Sequence, residues 1–143
     1  MAGTIFLEVE RFGAGSFENL LFLGDGTLNT FVNLVYDNAV SRYKGQVRNG
    51  GVTSGVVTAG AAYTGKIKIA IAYAANDLVL YINGVLQNTD TSVTVPSTAL
   101  SVLGVGSYYD TAYGADIFRG AYSQALLFKT RLTNAQLAEL TTT

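Results

Sequence analysis

From Lys66 to Tyr73 every second residue is a large apolar one. Ile67, Ile69, Ile71 and Tyr73 fall on one face, while Lys66, Lys68, Ala70 and Ala72 fall on the other. A period of two belongs to a β-strand with one face in a core, because successive side chains point to opposite sides of the backbone. After Ala75-Asn76-Asp77 turns the chain, Leu78 to Ile82 is apolar on both faces, which fits a strand flanked on both sides. Asn83-Gly84 follows, and a type I′ hairpin turn needs positive φ at both central residues, which this pair tolerates best. Val85 to Asn88 returns from it.

The same alternation recurs along the chain. Thr4 to Arg11 places Ile5, Leu7 and Val9 opposite Phe6, Glu8 and Glu10, and Gly13-Ala14-Gly15-Ser16 reads as a loop. Asn19 to Leu23 is a strand ended by Gly24-Asp25-Gly26. Thr30 to Asp37 separates Val32, Leu34 and Tyr36 from Phe31, Asn33 and Val35. Ser41 to Arg48 sets Tyr43 against Arg42, Lys44 and Arg48, and Asn49-Gly50-Gly51 turns into Val52 to Thr58. Pro96 sits in a connection. Leu100 to Gly106 and Arg119 to Lys129 complete the strands, the last with Tyr122, Gln124, Leu126 and Phe128 on one face. One helix closes the chain: Thr133-Asn134-Ala135-Gln136 matches a capping box, with Leu132, Gln136, Leu137 and Leu140 as its stripe. Two turns cannot stand alone in water, so the helix must dock on a sheet. The small residues Ala70 and Ala72 mark a face that something approaches closely.

About ten strands with turns every 8–12 residues and one short helix imply an all-β fold: a two-sheet antiparallel jelly-roll sandwich with one short C-terminal helix. A length of 143 residues suits one domain, 1–143, with a core large enough to need no staple. Ile67, Ile69, Ile71, Leu80, Ile82, Leu126 and Phe128 are expected to be largely buried.

Composition removes several chemistries. The chain has no His and no Cys, so it has no Ser-His-Asp triad, no Cys-His dyad, no zinc held by His or Cys and no disulfide. Only 13% of residues are charged, against about 25% in typical domains, and net charge is −1. The charges are scattered singly, without the basic stripe of a nucleic-acid binder. No apolar run approaches the ~20 residues of a membrane span. The N-terminal residues carry no signal-peptide pattern.

The segment Lys66–Tyr73, then Asn76-Asp77, then Leu80-Tyr81-Ile82-Asn83-Gly84-Val85 resembles the central hairpin of the concanavalin A-like lectin/glucanase jelly roll, in its laminin-G and pentraxin-like branch. Gly120, Ala125-Leu126-Leu127-Phe128 and Arg131 to Leu137 with Leu140 are similar to the closing strand and helix of those domains. With Asp90-Thr91 and Val95-Pro96, this wording resembles lectin-like domains of bacteriophage structural proteins: tail fibres, spikes and head appendages. The likeness covers residues 64–141 in wording and the first half in strand pattern. It implies a virion location, contacts with other virion subunits, a homo-oligomer, and contact with cell-surface carbohydrate. The superfold hosts enzymes, lectins and inert spacers alike.

Glu8-Val9-Glu10 is the one tight carboxylate pair. Glucanases of this superfamily carry a Glu-x-Asp-x-x-Glu strand motif. Here Gly13 stands where the third carboxylate would be, so a solvated strand face is expected and no catalytic residue is assigned. The loop Tyr108-Tyr109-Asp110-Thr111-Ala112-Tyr113-Gly114-Ala115-Asp116 is the most informative stretch outside the core. Tyr108, Tyr109 and Tyr113 offer flat faces for sugar C–H groups, and Asp110 and Asp116 could accept from sugar hydroxyls or ligate Ca²⁺ together with backbone carbonyls. Ligand contact, subunit contact and simple loop cover all remain open for these residues. Asp25, Asn29, Asp37 and Asn38 fall short of the acidic density of a calcium loop, so no metal or cofactor is expected. Glu18, with Glu8 and Glu10, is expected on the surface. The reading is a non-enzymatic virion module contacting host-surface glycans; the alternative is a purely structural capsid or tail assembly domain without a sugar site.

Overall fold

The computed structural model describes residues 1–13, 17–107 and 117–143. Among them run strands β1 (Gly3–Arg11), β2 (Phe17–Gly24), β3 (Phe31–Asp37), β4 (Arg42–Asn49), β5 (Val52–Thr58), β6 (Lys66–Ala74), β7 (Asp77–Ile82), β8 (Val85–Asp90), β9 (Val102–Val105) and β10 (Gly120–Phe128), then helix α1 (Asn134–Thr141). They form two five-stranded sheets, ordered β10-β1-β6-β7-β8 and β5-β4-β3-β2-β9, with antiparallel neighbours throughout. The expected antiparallel sandwich with one C-terminal helix is the observed fold. Strand positions match the alternation, apart from a few residues at the ends.

The core lies between the sheets. Ile5, Leu7, Val9, Ile67, Ile69, Ile71, Leu78, Leu80 and Ile82 of the first sheet meet Leu21, Val32, Leu34, Tyr43, Val47 and Val57 of the second. The sheets approach closely at Gly45, where a Cβ would stand 2.5 Å from Ile71 Cγ2. Asn83 and Gly84 have φ of 50° and 81°, as the type I′ turn requires.

The outer face of the first sheet is covered by α1. Leu137 is fully buried against Phe6, Ala70, Ala72, Val79 and Tyr81, so the helix is what approaches the two small alanines. Thr133 accepts from Gln136 N, while Gln136 Oε1 accepts from Thr133 N at 2.9 Å, completing the capping box.

Two bulges alter the expected faces. Between β1 and β10, Glu8 pairs with Gln124 and Val9 with Tyr122, which leaves Ser123 unmatched. The extra residue reverses parity. Tyr122 therefore packs on the inter-sheet core, while Gln124, Leu126 and Phe128 share the outer face with Glu8 and Phe6. Leu126 and Phe128 are half-buried rather than largely buried, because β10 is an edge strand with only the short helix over it. In β2, Leu20 is the unmatched residue, so both Leu20 and Leu21 enter the core.

The two long edges of the sandwich differ. At β5 and β8 the sheets are laced by Asn88 Nδ2 donating to Thr58 O at 3.3 Å and Val56 N donating to Asp90 Oδ2 at 3.3 Å. At β9 and β10 they part. Leu103, Val105 and Leu127 are on core-facing positions yet stand about half exposed. A cleft of about 550 Å³ opens there between Leu23, Tyr73, Leu100 and Leu127.

Candidate functional site

The expected site residues Tyr108, Tyr109, Asp110, Tyr113 and Asp116 lie outside the described residues. Both flanks of that stretch are described, and both are fastened to β2. Gly106 N donates to Leu20 O at 2.9 Å and Phe118 N donates to Gly106 O at 2.8 Å. Asn19 Nδ2 donates to Ser107 O at 2.9 Å, and Asn19 also forms an isolated parallel bridge with Ile117. The Tyr122 ring packs edge-on to Phe118 at 5.0 Å, with its hydroxyl donating to Leu20 O. Burial pushes the Tyr122 hydroxyl well above the ordinary phenol range.

These flanks enter beside the outer face of the second sheet. Register places Asn19, Phe22, Phe31, Asn33 and Val35 on that face, next to Lys44, Gln46 and Arg48. Among the described residues no helix packs on it. Its floor is nevertheless closed to solvent: Asn19, Phe22, Asn33 and Val35 have no exposed surface. Phe22 and Phe31 lie 5.2 Å apart, and beside them Asn33 Nδ2 donates to Asn19 Oδ1 at 3.3 Å. An amide ladder thus runs from Ser107 through Asn19 to Asn33 across an otherwise apolar floor. The half-buried rim is cationic. Lys44 Nζ contacts Asp37 Oδ2 at 2.6 Å, and this partner holds the Asp37 carboxyl below the usual carboxylate range. Arg42 donates to the carbonyls of Val40 and Ser41, and Arg48 Nη2 to Gly51 O at 2.8 Å. Among the described residues no ion pair neutralises either arginine.

Glu18 is not on the surface. It has no exposed area and faces inward opposite Tyr36, because the alternation of β2 ahead of its bulge sends it between the sheets. Arg11 continues the core face of Ile5, Leu7 and Val9 and meets Glu18 there. Arg11 Nη2 lies 2.9 Å from Glu18 Oε1 and donates to Asn38 Oδ1 at 2.9 Å, while its guanidinium stacks 3.9 Å above the Tyr36 ring. The other Glu18 oxygen accepts from Arg119 N at 3.4 Å. Burial raises the neighbouring Tyr43 hydroxyl to about 12. This cluster plugs one end of the core. Its sequence signal was a charged residue continuing an apolar strand face, which demands a buried partner.

The remaining polar motifs resolve locally. Glu8 and Glu10 lie on the outer face of the first sheet, where Glu8 Oε1 is 3.1 Å from Lys66 Nζ. Asp25 Oδ1 accepts from Thr27 N and Oγ1 at 2.9 and 2.7 Å, and the Thr27 hydroxyl lowers the Asp25 pKa. Among the described residues no three acidic, His or Cys side chains gather as a metal site.

No family model matches the sequence, and no curated protein matches it. Solved structures do share its fold. The chain is similar to the CBM40 of Ruminococcus gnavus IT-sialidase, solved with α2,3-sialyllactose: TM-score 0.76, 19% identity, covering 98% of this chain and 82% of that one. It is similar to a heptameric SAP-like pentraxin from Limulus polyphemus, with TM-score 0.71, 12% identity and coverage of 96% and 68%. It also superposes on part of the NanB sialidase of Streptococcus pneumoniae, with TM-score 0.79, 12% identity and coverage of 96% and 23%. These likenesses establish a shared jelly-roll sandwich.

Proposed function

We propose that this chain is a non-enzymatic glycan-binding module and that the outer face of its second sheet receives the ligand. The observation that carries this is the asymmetry of the sandwich. One outer face is packed by α1; the other has no helix over it among the described residues, bears Arg42, Lys44, Gln46 and Arg48, and takes both flanks of the tyrosine-rich stretch at Asn19. Tyr108, Tyr109 and Tyr113 remain the proposed stacking residues, with Asp110 and Asp116 as acceptors. Two arginines that pair with no carboxylate among the described residues favour an acidic sugar, and the sialyllactose complexes of the similar CBM40 point to the same class. The non-catalytic reading is supported by position. Glu8 and Glu10 lie on the opposite sheet from this face, and Glu8 is engaged by Lys66.

We place the module in a bacteriophage virion on the sequence wording of residues 64–141, with other subunits as neighbours. A second reading, an assembly domain without a sugar site, is favoured by one observation: the apolar cleft and half-exposed Leu103, Val105 and Leu127 at the β9–β10 edge. A glycan panel containing sialylated and neutral oligosaccharides separates the two. Retention of the chain on sialylated members, with no sugar released, is the expected outcome. No retention at millimolar glycan, with self-association through the β9–β10 edge, would favour assembly instead.

A further inference from the structure

Four strands end the two sheets: β5, β8, β9 and β10. An edge strand presents a row of unpaired N–H and C=O groups, and proteins blunt such rows with charge, brevity or cover. Three of these four are blunted. β9 is only four residues long. On β5, Val56 N is taken by Asp90 Oδ2 and Thr58 O by Asn88 Nδ2. On β8, Asp90 supplies a charge, while Thr89 N and Val85 O are taken by the side chains of Asn88 and Gln87. β10 differs. It is nine residues long, carries no charge and no proline, and among the described residues pairs with β1 alone.

The bulge at Ser123 divides this edge and leaves Gln124 to Phe128 as a regular run, paired with Glu8 back to Thr4. Both faces of the run are apolar and partly open. Leu127 stands 45% exposed beside the cleft between the sheets. Leu126 and Phe128 are half-buried on the outer face, where a groove runs past Phe128, Leu132 and Leu140. Helix α1 packs on β6, β7 and β8 and leaves the flank of β10 open. The occupant that matches this run in length, in lack of charge and in apolar character on both faces is the run itself. An antiparallel copy turned about Leu126 carries residues 124–128 onto themselves. Leu126 then meets its own equivalent, Leu127 meets Ala125, and Phe128 meets Gln124. Lys129 falls opposite Ser123, so no like charges face each other.

We infer that two copies of this chain join β10 to β10, so that the five-stranded first sheet of each continues into the other. Residues opposite each other across an antiparallel pair share a face. The outer faces of both first sheets therefore point one way, and both second sheets lie on the other side, with their cationic faces turned in the same direction. The joint stands on the edge alone. Its consequence, two-point attachment to a glycan-bearing surface, rests on the glycan reading above.

The test follows the mass of the full chain by sedimentation across a dilution series, beside Leu126→Lys. The parent is expected to pass from dimer to monomer on dilution. Leu126→Lys sets two ammonium groups opposite each other and is expected to stay monomeric throughout. A second pair of variants decides the matter even where the lysine unfolds the domain. The parent has no cysteine, so with diamide as oxidant Leu126→Cys is expected to form a disulfide-linked dimer. Ala121→Cys, outside the overlapping run, is expected to stay unlinked. A parent that is monomeric at every concentration, a folded Leu126→Lys that still dimerises, or equal cross-linking of the two cysteine variants overturns the joint. Retention on a densely sialylated surface keeps the two readings apart. Loss of the dimer should weaken it by roughly tenfold or more, with affinity for free sialyllactose unchanged. A dimer that is not retained leaves the joint standing and removes the glycan reading; a retained monomer does the reverse.

Discussion

Glu18 shows how one side chain can organise an end of the molecule. Its carboxylate is fully buried, neutralised by Arg11 and hydrogen-bonded by the Arg119 amide, with Tyr36 stacked beneath the guanidinium. Removing one partner of a buried pair leaves the other as an uncompensated charge, which typically costs about 3–5 kcal/mol. Glu18→Ala is therefore expected to lower the unfolding free energy by about that amount in a urea titration. The double replacement Arg11→Met with Glu18→Leu should recover much of the loss, because it removes both charges together. A loss below ~1 kcal/mol in the single variant would mean that Glu18 behaves as an exposed ion pair. This pair was half legible. Arg11 sits on the apolar face of its strand by simple alternation, yet Glu18 reads as a surface charge, because nothing in the sequence announces the bulge that follows it at Leu20.

At the scale of elements, alternation was a good guide and bulges were the reason it failed where it did. A strand declares its two faces through a period of two, and the outcome for Ile67, Ile69 and Ile71 shows how far that reaches. One inserted residue exchanges the faces beyond it. The unmatched Ser123 separates Tyr122 from Gln124, Leu126 and Phe128, which a continuous pattern would have kept together. The helix was legible for a different reason, since its capping box is a local motif whose hydrogen bonds need no tertiary context. Its stability does need that context. Leu137→Ala, which empties the contact with Phe6 and Val79, is expected to cost about 2–5 kcal/mol, whereas Thr133→Ala should cost only about 1 kcal/mol, both read by chemical denaturation. Equal losses would mean that the cap, and not docking, holds the helix in place.

Among the described residues, the sandwich has one face packed by a helix, one face with a largely apolar floor and a cationic rim, and one edge where the sheets part. The fold was legible because ten strands and their turns declare themselves locally. The candidate ligand face was not, because Asn19, Asn33, Gln46 and Arg48 lie on three strands, and only their register brings them together. The five residues singled out from the sequence fall outside the described residues, so their flanks, and not their side chains, link them to this face. The central claim is that the outer face of the second sheet binds sugar. It is tested most directly by titrating the ¹⁵N-labelled chain with α2,3-sialyllactose and mapping the backbone amides that shift. The account predicts saturable shifts at Asn19, Asn33, Lys44, Gln46 and Arg48, with Glu8, Lys66 and the helix unmoved and the sugar intact. Shifts confined to Leu103, Val105 and Leu127, or a spectrum unchanged at saturating sugar, would contradict it.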